Sequence, residues 1–240
     1  LASLMSVRAC ADGLVDDGRP FDLVIANAGV AGTPFGKTAD GFETQFGTNH
    51  LGHFVLVNRI APLMKPGARL VNLSSAGHRR ADVDLDDPNF ERMPYDPFVA
   101  YGRSKTANVL FAVEFDRRHK ASGLSATAVH PGVIDTELSR HMGADAVRSM
   151  IERLNAEQKA AGRPPIVWKS VRQGAATSVW AGVVAKPKDV GARYCEDCHV
   201  AEVVEAGSNG LDGVRPYALD LEHAKALWVK SEELVGERFA

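Results

Sequence analysis

Tyr101 and Lys105, four apart in Tyr101-Gly102-Arg103-Ser104-Lys105, carry the sharpest chemistry in this chain. On a helix, residues four apart lie one above the other, so a phenol and an ammonium at that spacing share one neighbourhood. A nearby ammonium favours phenolate over phenol and lowers the tyrosine pKa from its reference of about 10. A general acid/base acting on an alcohol or carbonyl oxygen needs that behaviour near neutral pH. Many solvated helix faces carry an isolated Tyr-x-x-x-Lys by chance, so the weight of this one depends on its companions.

Companions exist. The run 69–73 ends in Ser74-Ser75, which puts hydroxyls at the carboxyl edge of a strand, where ligands bind in open α/β sheets. Asn27-Ala28-Gly29 follows an apolar run in the same way, and Gly29 allows a ligand close to the backbone. Asn49 falls inside a helical pattern, where asparagine is a poor former. Buried there, it needs a partner, which a gap in the helical ladder or an ordered water would supply. His130-Pro131-Gly132 ends a third run, and Thr136 follows at the start of the next helix.

The elements that position these residues alternate. Apolar spacing predicts helices over 1–17, 38–64, 98–122, 171–184 and 219–235, with Pro66-Gly67 stopping the second and Gly123 capping the third. Short apolar runs predict strands over 21–26, 69–73 and 126–129, and a last one over 191–195. Strand and helix alternating three times is the pattern of a parallel sheet wound on both faces. The expected fold class is α/β, in a single domain over 1–240 with a helical flap over 137–167.

Taken together, these features resemble the short-chain dehydrogenase/reductase family. They are Asn-Ala-Gly after a strand, Asn in a helix, Ser at the next strand end, Tyr-x-x-x-Lys, then Pro-Gly and Thr. The segments Asn49-His50-Leu51-Gly52-His53-Phe54, Val71 to His78, Ser104 to Phe111 and Val129 to Val133 resemble the branch holding retinol dehydrogenases and the WW-domain oxidoreductases. The resemblance implies a Rossmann-like doubly wound parallel sheet and hydride transfer between NADP or NAD and an alcohol or carbonyl. It makes Tyr101 the proton donor and acceptor, Ser75 the partner of the substrate oxygen, and Asn49 the anchor of a proton-relay water. Lys105 would hold the nicotinamide ribose and depress the tyrosine pKa. Asn27, Ala28 and Gly29 would border the adenosine side, and Pro131, Gly132, Val133 and Thr136 the nicotinamide end. The protein orients the reactants; the hydride chemistry is the cofactor's.

One expected part is absent from the sequence. The family begins with a strand and a Thr-Gly-x-x-x-Gly-x-Gly turn that binds pyrophosphate. The nearest candidate, Gly29 to Gly36, has the wrong spacing, with Pro34 and Phe35 in the way. The expectation is a fold lacking its N-terminal strands, with the strand at Phe21 left as an edge. The rival reading is a truncated, non-catalytic member acting as a binding protein.

Bulk properties narrow the rest. A net charge of −2 gives no electrostatic case for nucleic acid or an anionic membrane. No apolar run reaches the ~18 residues of a membrane span, and the first residues carry no signal-peptide pattern, so a cytoplasmic protein is expected. Leu138, Met142, Met150, Ile151 and Leu154 in the flap point to an apolar substrate, although such spacing more often reflects packing. A homo-oligomer is left open. Cys195-Glu196-Asp197-Cys198-His199 matches a c-type haem motif but lacks an export signal and falls on a family-like stretch. His50 and His53 lack a Glu-x-x-His partner, and the Asp82–Asp87 run lacks calcium-loop spacing, so no metal is expected.

Overall fold

Three apolar runs pair side by side at the centre of the molecule, as β1 (Phe21–Ala26), β2 (Met64–Leu73) and β3 (Ser125–His130). The computed structural model describes residues 1–160, 162–207 and 212–239, excepting the side chains of Ala144, Ala146, Met150 and Glu157. The expected flap contact by Met150 therefore lies outside the described residues. β1–β2 and β2–β3 are parallel, with Val71 between Ile25 and Thr127. β4 (Tyr194–Glu196) joins β3 in parallel, and β5 (His199–Val200) returns antiparallel, giving the order β1-β2-β3-β4-β5.

The helices are α1 (Leu4–Asp17), α2 (Thr44–Phe46), α3 (Gly52–Ile60), α4 (Pro97–His119), α5 (Ala144–Ala160), α6 (Val171–Val179), α7 (Pro187–Val190) and α8 (Leu221–Val235). Successive strand residues face opposite sides, so the sheet builds two cores. Leu70, Ala126 and Ala128 face the larger one, with Phe54, Phe111 and Trp228 from α3, α4 and α8. Val71, Leu73 and Val129 face the smaller one, closed by Ala181, Ala185 and Val190. Helices thus cover both faces, as the alternation predicts.

Local signals start and stop the helices. The Ser3 hydroxyl accepts from the Ser6 amide at the start of α1, and Gly18, at φ 65°, ends it. The Asp96 carboxylate accepts from the Phe98 and Val99 amides, and Pro97 opens α4. From Gly102 to Asp116 α4 is buried all round, as a helix wedged between sheet and α8 must be.

Two expectations change. The helix expected over 38–64 starts at Thr44, after a turn in which the Thr38 amide bonds the Phe42 carbonyl. Its end also moves back, since 64–68 already belong to β2 and Pro66-Gly67 lie inside a strand. The β1–β2 register slips between Phe21 and Leu23, and such an irregularity tolerates a residue without an N–H. The last strand is also shifted, to 194–196, and continues into a hairpin whose turn residues Asp197 and Cys198 have φ 44° and 59°. Two positive φ values make a primed turn, but Asp-Cys lacks the usual glycine that advertises one.

Candidate functional site

The carboxyl end of β2 is stitched to α4 by side chains that the sequence places at matching heights. Lys105 Nζ donates to the Leu73 carbonyl at 3.0 Å, and Asn108 Nδ2 to the same oxygen at 2.9 Å. Ser74 Oγ donates to the Lys105 carbonyl at 2.8 Å, and Asn72 Nδ2 to that of Asn108. These bonds fix the strand end against the helix, and the next residue, Ser75, lies beside the Tyr101 side chain, the two flanking Gly77. Lys105 Nζ stands 5.7 Å from the Tyr101 ring centroid. The strand-end hydroxyl, the phenol and the ammonium are therefore together. Gly77 makes this closeness possible, because a Cβ there would lie 2.9 Å from the Tyr101 ring.

Asn49 finds its partner in the chain itself. Residues Gly47–Leu51 form a π-turn between α2 and α3, which is the gap in the helical ladder that a buried asparagine needs. Its Oδ1 accepts from the Val30 amide at 2.8 Å, and its Nδ2 donates to the Val30 carbonyl and to Ser104 Oγ, both at 2.9 Å. Ser104 in turn donates to the Tyr101 carbonyl at 2.8 Å. Asn49 thus links the loop after β1 to the helix that carries Tyr101. A Cβ on Gly29 would meet Asn49 Oδ1 at 3.0 Å and Lys105 Nζ at 3.6 Å, so this loop borders the same cleft.

The electrostatics differ from the expected depression of the phenol. Burial holds the Tyr101 hydroxyl above its ordinary value, opposed by the neighbouring Ser75 side chain. The ammonium is turned onto the Leu73 carbonyl and does not reverse this. Burial instead lowers Lys105 to about 8. His130, at the end of β3, is lowered to about 3 by burial first, then by His78 and Lys169, against a smaller pull from Asp197. Its Nδ1 lies 3.3 Å from the Ala76 amide and 3.4 Å from the Gly132 amide, and it ties the ends of β2 and β3 together.

Ser75, Tyr101, Gly132 and Val133 line a cavity of about 470 Å³. Among its walls are Ile134, Leu138, Met142, Leu154 and Trp168, from the segment after β3. Met142 packs against Gly32 across the cleft, where φ is 62° and a Cβ would collide with Met142 Cγ. Asn27 and Ala28 are exposed at the end of β1, outside that wall. Pro131 is half-buried, also outside it, while Thr136 is exposed and caps the short helix Glu137–Ser139 through the Leu138 amide. The sequence reading missed Ser104 and His130 as ties within the site. Ser104 lay inside the Tyr-x-x-x-Lys motif, but nothing in the sequence ties it to Asn49, 55 residues away.

The motifs set aside fall elsewhere. Cys195 is fully buried in β4, its thiol pushed up to about 12, and offers no sulfur to an external macrocycle. His50 donates or accepts at Ser231 Oγ within the larger core. Among the described residues no group of three or more His, Cys, Asp or Glu is gathered as for a metal. Among the same residues no helix is long and apolar enough to cross a membrane.

The short chain dehydrogenase family model matches residues 1–146. Human Retinol dehydrogenase 13 is 37% identical, over 98% of this chain and 67% of its own length. A solved structure of an uncharacterized protein from Mycobacterium Paratuberculosis is 32% identical with a TM-score of 0.71, covering all of this chain and 74% of that one. A Burkholderia cenocepacia short chain dehydrogenase solved in complex with NADP shares the fold, with a TM-score of 0.59 at 19% identity over 81% of this chain and 71% of that one.

Proposed function

Because the chain belongs to the short-chain dehydrogenase/reductase family, we propose that it moves hydride between a nicotinamide cofactor, NADP or NAD, and an alcohol or carbonyl carbon. The observation that carries this reading is Tyr101 and Ser75 side by side on the wall of the cavity, with Lys105 Nζ 5.7 Å from the Tyr101 ring centroid. Relatives named as dehydrogenases and a fold neighbour solved with NADP support it.

The residues fit the nicotinamide end of such a cofactor. Lys105 carries three donor hydrogens, one of which goes to Leu73, and the Cβ-free positions Gly29 and Gly77 leave room beside it and beside Tyr101. Lys105 would hold the ribose hydroxyls, and Gly132 and Val133 would border the ring. When bound, the nicotinamide supplies a hydride to, or takes one from, the substrate carbon. The chain's own residues handle the oxygen. Ser75 and Tyr101 converge on it, and a phenol kept protonated by burial donates a proton as negative charge develops there. Asn49 and Ser104 hold the helix turn bearing Tyr101, and Leu138, Met142 and Leu154, which line the cavity from the segment after β3, would act as the flap that keeps water from the cleft.

Tyr101→Phe is expected to lower turnover about 10²–10⁴-fold, the usual worth of a positioned acid/base. Nicotinamide fluorescence on titrating NADPH or NADH should be the same in the variant as in the parent. Retained turnover in Tyr101→Phe would overturn the assignment of the proton, and absence of cofactor binding by the parent chain would favour a binding protein instead.

A further inference from the structure

Ser75 is held from both sides along the chain. Upstream, the Ser74 amide donates to the Val129 carbonyl and its hydroxyl to the Lys105 carbonyl, each at 2.8 Å. Downstream, the Ser75 carbonyl accepts two bonds from one residue, from the His78 amide at 3.0 Å and from its ring Nδ1 at 2.7 Å. A carbonyl oxygen has two lone pairs, and His78 takes both. The Ser75 hydroxyl accepts from the Gly77 amide at 3.0 Å, which leaves its own hydrogen to donate.

The other ring nitrogen of His78 is committed too. The Arg215 amide donates to Nε2 at 3.2 Å. A carbonyl can only accept and an amide N–H can only donate, so the pair permits one tautomer, neutral with its hydrogen on Nδ1. The ring is fully buried, its centroid 4.7 Å from that of Tyr194. Burial lowers it to about 4 against the Ser75 bond, with Arg79 and Arg215 adding to the drop. The Tyr217 hydroxyl donates to the His78 carbonyl at 2.7 Å. The segment that meets the ring is itself anchored, with the Gly213 amide on Glu196 Oε1 at 2.7 Å and the Val214 amide on the Glu202 carbonyl at 2.9 Å. Packing against Tyr194 asks only for a flat ring; the two directed bonds ask for an imidazole.

We propose that His78 is a positioning residue: its Nδ1–H fixes the Ser75 carbonyl, and so aims the Ser75 hydroxyl at the substrate oxygen, while the Arg215 amide fixes the ring. The aim at a substrate rests on the oxidoreductase reading above; the hold on Ser75 rests on these hydrogen bonds alone.

Two variants separate the two ring nitrogens. His78→Asn keeps an amide donor where Nδ1 stands, and His78→Gln keeps an acceptor near the place of Nε2. In the full chain, nitrogen–proton correlation spectra of the imidazole should show the hydrogen on Nδ1. The Gly77 amide reports where the Ser75 hydroxyl lies. In His78→Gln it should exchange about tenfold faster, while the Ala126 amide, held by Asp116 Oδ1, keeps its rate. With NADPH and benzaldehyde as the carbonyl probe, His78→Gln should lower kcat about 10–10²-fold with the KM for NADPH unchanged. His78→Asn should recover most of that loss. Hydrogen on Nε2, an unchanged Gly77 rate, equal acceleration at Gly77 and Ala126, or equal losses in the two variants would overturn the proposal. A parent chain that consumes no NADPH with the probe counts instead against the oxidoreductase reading, and the tautomer and the Gly77 rate then decide whether His78 holds Ser75.

Discussion

Lys105 keeps an ammonium where almost no water reaches it, and its proton is correspondingly loose. Only 4% of the residue is exposed, and burial lowers it from 10.5 to about 8. Between those two values the unfolded chain holds a proton that the native protein has released, so native stability rises with pH across that window. The drop corresponds to about 3 kcal/mol at full effect. Lys105→Met should remove this dependence. Urea midpoints at pH 7.5 and pH 10 should show the parent gaining on the variant by about 2–3 kcal/mol, and a constant difference would show that the lysine is not desolvated in solution. The Tyr101–Lys105 neighbourhood was legible from a spacing of four alone. The direction of both pKa shifts was not, because it depends on how completely α4 is buried, and sequence spacing carries no measure of solvent.

At the scale of elements, the site depends on irregularities more than on regular helix or strand. The π-turn at Gly47–Leu51 lets Asn49 reach sideways to Val30 and Ser104, and a straight helix would leave its amide against its own turn. Asn49 in a helical pattern pointed to a gap in the ladder or an ordered water; the gap is there, but Val30 and Ser104 as its partners were not readable. Nor was the end of the same helix. Residues 61–64 keep an apolar helical pattern, yet pairing with β1 draws Met64 into β2, and tertiary pairing outweighs local preference. Asn49→Ala strands the Val30 amide and carbonyl and leaves the Ser104 hydroxyl only its bond to the Tyr101 carbonyl. It should cost about 1–3 kcal/mol, read as a lower denaturation midpoint, with faster hydrogen exchange at Val30. Slow exchange at Val30 in the variant would show that the loop after β1 is held by something else.

Across the whole molecule, the two sheet faces are not equally protected. The larger core takes α1, α3, α4 and α8, whereas among the described residues the smaller is covered by the short helical stretch 171–190. β1 pairs only with β2 among the described residues, and its Leu23 belongs to the smaller core. Gly182 is a point of close approach, where a Cβ would lie 2.9 Å from Leu23 Cδ1 and 3.3 Å from Val71 Cγ2. Val71 sits on the strand that ends in Ser75, so crowding at Gly182 pushes on the strand pair that flanks the cleft. Overpacking of this kind costs about 1–3 kcal/mol, and Gly182→Val should lower stability by that amount. Leu23→Ala creates room at the same contact, so the double variant should be more stable than the two single losses predict, by about 0.5–3 kcal/mol in a double-mutant cycle. Strict additivity would mean that the helical stretch has moved off the sheet to admit the valine, and that the smaller core gives way at its helical side while the strands stay where the site needs them.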